Sequence, residues 1–108
     1  MDAARYADMF AALGSEARLR ILRTLLSAHP GGMVVGDLQA ELAIPPSTLS
    51  HHLEKLRNEG LVLCERERQF LWYRANSEAL RDLLEFLYAE CCTRSNAVNE
   101  KEILSKCS

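Results

Sequence analysis

Two adjacent thiols, Cys91 and Cys92, followed further on by Cys107, carry the most distinctive chemistry of this chain. Thiolates are soft ligands and select soft ions. Trivalent arsenic or antimony takes three sulfurs in a pyramid with a lone pair opposite. A neighbouring pair plus one thiol from the tail supplies that set, whereas two thiols alone suit a methylated trivalent arsenical better. The ordinary alternatives are a mobile tail residue for Cys107 and unremarkable helix-end residues for Cys91 and Cys92. Cys64, alone in a β-rich stretch, reads as a small core residue. A second group comprises Ser47, Thr48, Ser50, His51, Lys55 and Arg57, with Arg66 and Arg68 beyond them. Short hydrogen-bonding side chains and bases suit base edges and phosphates of a nucleic acid duplex.

The elements that must position these groups follow from hydrophobic period. Tyr6, Met9, Phe10 and Leu13 make a helical stripe ending at Gly14. Ser15 reads as the N-cap of a second helix striped by Ala17, Ile21, Leu22 and Leu25. His29-Pro30-Gly31-Gly32 breaks it, and a short helix is expected around Gly36 to Leu42. After Ala43-Ile44-Pro45-Pro46, a proline at a first helical position starts a helix running to about Asn58. At roughly 100° per residue, Leu49, Leu53 and Leu56 share one face of that helix. Ser47, Thr48, His51, Lys55 and Asn58 lie opposite, with Ser50 and Arg57 on a flank. His52 falls beside the leucines and reads as a part-buried structural histidine. Neighbouring histidines point about 100° apart, so the pair is a poor metal site.

From Leu61 the period changes to that of strands. Leu61 to Glu65 and Phe70 to Ala75 read as a hairpin with the charged tip Arg66-Glu67-Arg68-Gln69. Asn76 or Ser77 caps a last helix striped by Leu80, Leu83, Leu84, Leu87 and Tyr88, ending near Cys92. The fold class is therefore mainly α with a small β-hairpin: a winged helix-turn-helix, whose second short helix enters the major groove while the hairpin reaches the flanking backbone. Residues 1–92 are expected to form this DNA-binding and dimerisation domain, and residues 93–108 a tail. In the tail Asn99 and Glu102 resemble a capping box. A helix from there would put Ile103, Leu104 and Cys107 on one face and turn the last thiol toward protein.

Bulk properties exclude several classes. The chain has 108 residues, a formal net charge of −2, 48% hydrophobic and 26% charged residues, ordinary for one soluble globular domain. No apolar run approaches a membrane span, and the opening MDAARYADMF lacks the continuous apolar stretch of a secretory signal. A reducing cytoplasmic setting is expected, where thiols bind ions or react rather than cross-link a fold. No cysteine opens a Cys-x5-Arg oxyanion loop, and neither a Gly-rich phosphate loop nor a Ser-His-Asp order is present, so no enzyme and no catalytic cofactor are expected. Phosphate affinity adds over basic contacts. With Glu54, Glu59, Glu65 and Glu67 among the bases of residues 47–74, one copy should bind weakly and a symmetric dimer better. The first and last helices, with the strongest apolar stripes, are the expected dimer interface.

Ser47-Thr48-Leu49-Ser50-His51-His52-Leu53-Glu54-Lys55-Leu56, with Glu59-Gly60-Leu61-Val62, resembles the recognition-helix signature of the ArsR/SmtB repressors. Phe10-x-x-Leu13-Gly14-Ser15-Glu16-Ala17-Arg18-Leu19-Arg20-Ile21-Leu22 resembles their opening. The resemblance covers about residues 3–92 and implies a homodimeric repressor that leaves operator DNA on binding a metal or metalloid. The wing departs from the pattern, since relatives usually carry a Gly near the tip. Arsenic-sensing members often have Cys-Val-Cys-Asp-Leu where this chain has Val34-Val35-Gly36-Asp37-Leu38. Zinc- and cobalt-type members use Asp and His on the last helix, which here has no histidine. Relatives with a helix-end Cys-Cys pair and a third cysteine imply As(III) sensing, and point to Cys91, Cys92 and Cys107, although that third cysteine usually lies nearer the pair. Binding would pin the tail against the last helix and change the spacing of the two DNA-reading heads. Cadmium, lead and bismuth ask for similar thiols. A redox repressor forming disulfides is the alternative: Arg94 would favour its thiolates, while the negative end of a helix dipole opposes them.

Overall fold

The computed structural model describes residues 2–95. Helix α1 spans Ala3–Leu13 and opens on Asp2, whose carboxylate accepts from the Arg5 amide at 3.0 Å. Ser15 caps α2, Glu16–Ser27, by accepting from the Arg18 amide at 3.3 Å. A two-residue strand β1, Met33–Val34, leads into α3, Val35–Leu42. Ala43 turns the chain in the left-handed region at φ 53° before α4, Pro46–Asn58. The wing is β2, Val62–Glu67, and β3, Phe70–Ala75; α5 then runs Ser77–Tyr88 under an Asn76 cap that accepts from the Ala79 amide at 3.2 Å.

The helical stripes converge on one core. Ile21, Leu25, Leu38, Leu53, Leu56, Leu61 and Leu83 are almost wholly buried, together with Met9, Leu49 and Val62. Leu49, Leu53 and Leu56 are the buried face of α4, so every polar residue expected opposite them is turned outward. Two hydrogen bonds from Asn76 fix the root of the wing: its amide donates to the Leu61 carbonyl and its Nδ2 to that of Gly60, both at 2.9 Å.

The architecture expected from the sequence is present, with four corrections. The sheet has three antiparallel strands in the order β1-β3-β2, because Met33 and Val34 pair with Tyr73 and Trp72. A two-residue strand is too short to show a period, and its partner lies far along the chain. Gly32 makes the approach possible: at φ +82°, a side chain there would run into the Tyr73 carbonyl. The hairpin is longer than expected, since Arg66 and Glu67 pair with Leu71 and Phe70. Only Arg68 and Gln69 remain at the tip, and Arg68, at φ 59°, adopts the left-handed conformation that glycine takes most readily. Finally, α3 begins at Val35 and α5 stops at Tyr88, so Cys91 and Cys92 stand in a run of turns after the helix.

Candidate nucleic-acid interface and thiol site

The exposed side of α4 carries Ser47, Thr48, Ser50, His51, Lys55 and Arg57, all turned to solvent, with Asn58 beside them. No side chain caps this helix; Pro45 stands at its N-cap and Pro46 at its first position. Its leading amides therefore keep their capacity for an anion, which the helix dipole favours there. His52 sits half-buried behind the polar row, and its Nδ1 lies 3.3 Å from Arg18 Nη1. Arg18 is itself anchored, donating from Nε to the Ala12 carbonyl at 2.6 Å. Burial first, then the charges of Arg18, His51 and Lys55, hold the His52 pKa below its ordinary value. A neutral ring with Nδ1 accepting from Arg18 satisfies both partners.

The wing resolves the near-balance of charge noted along the sequence. Strand alternation and register put Arg66 on the face of Val62 and Cys64, the side that packs on the core. Glu65 and Glu67 lie on the other face with Trp72 and Phe70, and Glu65 is engaged by Arg74 at 2.9 Å. Arg68 projects from the tip. Arg66 is thus set apart from Glu65 and Glu67 by the period-two pattern, whereas Arg74 shares the acids' face and pairs with Glu65. Cys64 is half-buried opposite Tyr73. Burial and then a hydrogen bond with Cys64 raise the Tyr73 pKa, with Arg57 pulling the other way.

Beyond α5, the sulfurs of Cys91 and Cys92 lie 3.2 Å apart, both half-buried. Cys92 adopts φ 65°, and the backbone around the pair is held by Cys91 N–H to the Tyr88 carbonyl at 2.9 Å and Ser95 N–H to the Cys92 carbonyl at 3.2 Å. One soft ion bonded to two thiolates at roughly 2.3 Å each needs its sulfurs about 3–4 Å apart, so the pair fits as a chelate. A disulfide would need them at about 2.05 Å, a further approach from this position. Among the described residues, no group of three or more His, Cys, Asp or Glu converges as a metal site. Cys107 and the Asn99–Glu102 capping box lie outside the described residues.

Sequence reading missed two long-range ties. Arg5 of α1 reaches Glu59 at the end of α4, donating from Nη1 to the carboxylate at 2.6 Å and from Nη2 to the carbonyl at 2.7 Å. Arg18 joins α2 to His52. Neither pairing has a local signal, because the partners are far apart in sequence.

Comparison with known proteins places this geometry. The family described as helix-turn-helix domain matches residues 13–65. The nodulation protein NolR of Rhizobium meliloti is 33% identical over 105 residues, covering 97% of this chain and 84% of NolR. The transcriptional activator HlyU of Vibrio cholerae is 33% identical over 84% of this chain and 82% of its own length. The arsenic resistance transcriptional regulator ArsR2 of Pseudomonas putida is 38% identical over 66% of this chain and 60% of its own. An ArsR-like transcriptional regulator from Rhodococcus superposes with a TM-score of 0.71 at 28% identity, over 80% of this chain and 78% of that one. HlyU, ArsR2 and the Rhodococcus protein are regulators of transcription rather than enzymes. With its helix-turn-helix, its wing and the outward polar row on α4, the chain belongs to the ArsR/SmtB family of winged helix-turn-helix DNA-binding transcriptional regulators.

Proposed function

We propose that this regulator is a homodimeric repressor that binds operator DNA and is released when trivalent arsenic or antimony binds its thiols. The 3.2 Å separation of the Cys91 and Cys92 sulfurs at the end of α5 carries the reading. A soft ion held there would add two strong bonds to the turns that follow α5. Cys107 is proposed as the third sulfur, from its own chain or its partner. Ser47, Thr48, Ser50, His51, Lys55 and Arg57 are proposed to face the major groove, and Arg66 and Arg68 the flanking phosphates. The cytoplasm, where thiols stay reduced, is the proposed setting.

Support for the dimer comes from what α5 leaves uncovered. Leu83 is its one fully buried side chain, while Leu84 is 54% and Leu87 63% exposed. Phe10 of α1 and Phe86 of α5 are also exposed in part. Leu83, with Ala79 and Leu80 partly buried beside it and Phe86 stacked on Tyr6, attaches this helix of 12 residues by one side and leaves Leu84 and Leu87 outside the core. A second copy packed on this face would bury the rest and link the thiol-bearing ends to the two reading heads.

A second reading keeps the fold and exchanges the stimulus: the close sulfurs also suit oxidation to a disulfide. Titrating the reduced protein on DNA with arsenite, and separately with an oxidant, distinguishes the two. Release by arsenite with thiols reduced, abolished in Cys91→Ser, supports the first reading. Release by oxidant alone supports the second.

A further inference from the structure

Arg5 connects elements that the proposed switch must connect. Its guanidinium grips Glu59 twice, at the side chain and at the backbone carbonyl, immediately after the Lys55 to Asn58 turn of the recognition helix. The ion pair is part-buried, with side-chain exposures of 38% and 26%, so water screens it less than a surface pair. Gly60, at φ +72°, keeps the approach open; a side chain there would come within 3.3 Å of Arg5 Nη2. The next residue of α1, Tyr6, stacks on Phe86 of α5 with centroids 4.0 Å apart and planes 13° from parallel. A displacement of the C-terminal half of α5 therefore reaches α1 through packed rings, and reaches the end of α4 through a bidentate clamp.

We infer that Arg5 is a positioning residue for DNA recognition, transmitting the placement of α1 and α5 to the recognition helix through Glu59. The transmitted stimulus rests on the function proposed above; the positioning of α4 does not. Loss of the clamp frees the last turn of α4 from the helices that set its spacing. Operator affinity then falls, while non-specific binding, which depends on total phosphate contacts, is retained.

The test uses the full-length reduced protein and a duplex selected in vitro from random sequence by the wild-type chain. Dissociation constants are measured for that duplex and for a scrambled one, with and without arsenite, for wild type, Arg5→Gln, Arg5→Lys and Glu59→Gln. Arg5→Gln is expected to lower the specific-to-non-specific ratio about 10-fold, within the range of coupling between sites. Arg5→Lys should recover part of it, and Glu59→Gln, which keeps the carbonyl contact, should lose less. Circular dichroism and thermal melts identify a variant that has merely unfolded, in which case Glu59→Gln and Arg5→Lys decide. A wild type released by arsenite should show a smaller release factor in Arg5→Gln. A wild type indifferent to arsenite would overturn the proposed stimulus and leave the specificity ratio to judge the clamp. Wild-type ratios in all folded variants would overturn the inference.

Discussion

Cys91 and Cys92 owe their proximity to the end of α5. Adjacent residues on a continuing helix point about 100° apart, whereas the left-handed Cys92 brings both sulfurs to one side. Serine at either position is expected to leave operator binding within about 2-fold, since both lie outside the core and away from the outward row of α4, and to abolish release by arsenite. Anisotropy titrations check both halves. His52 makes a separate prediction. Its folded pKa lies below the usual 6.5, so the unfolded chain takes up its proton first as pH falls. Stability associated with neutral His52 is present above about pH 6.5 and declines as pH drops through the lowered folded value. His52→Gln should flatten this part of the stability curve, measured by urea unfolding between pH 5 and 7.5. The outward row on α4 was legible because Leu49, Leu53 and Leu56 fix which face is buried. The Arg18–His52 and Arg5–Glu59 pairs were not, since nothing local selects either partner.

At the level of elements, the wing shows how local chemistry and pairing divide the work. Its strands were recognisable from their period, but the tip contracted to Arg68-Gln69 because pairing with Phe70 and Leu71 recruits Glu67 and Arg66. A non-glycine residue in the left-handed region costs about 1–2 kcal/mol. Arg68→Gly is therefore expected to stabilise the fold by up to about 1 kcal/mol after the added freedom of the unfolded chain, read from chemical denaturation. The same variant should reduce the salt dependence of DNA binding by about 0.9 in log–log slope if Arg68 meets one phosphate. Gly32→Ala should do the opposite to stability, by about 2 kcal/mol or more, since it forces both a strained φ and a collision with the Tyr73 carbonyl. Strand β1, the element hidden from the sequence, exists through this close approach.

The chain is legible as a DNA-binding domain because its apolar stripes match the five helices and the wing of the described residues, each locally consistent with the fold. The proposed dimer rests on what remains exposed: Phe10, Leu84 and Leu87 form no part of the core. Leu84→Asp or Leu87→Asp is expected to give a monomer in sedimentation equilibrium, with operator affinity reduced at least 10-fold because half of the basic contacts are lost. The central claim is that binding at the Cys91–Cys92 pair governs DNA binding. Its most direct test is fluorescence anisotropy of reduced protein on a wild-type-selected duplex, titrated with arsenite under a thiol-free reductant. The account predicts tight binding lost at micromolar arsenite, with the loss absent in Cys91→Ser. Binding unchanged up to millimolar arsenite would contradict it.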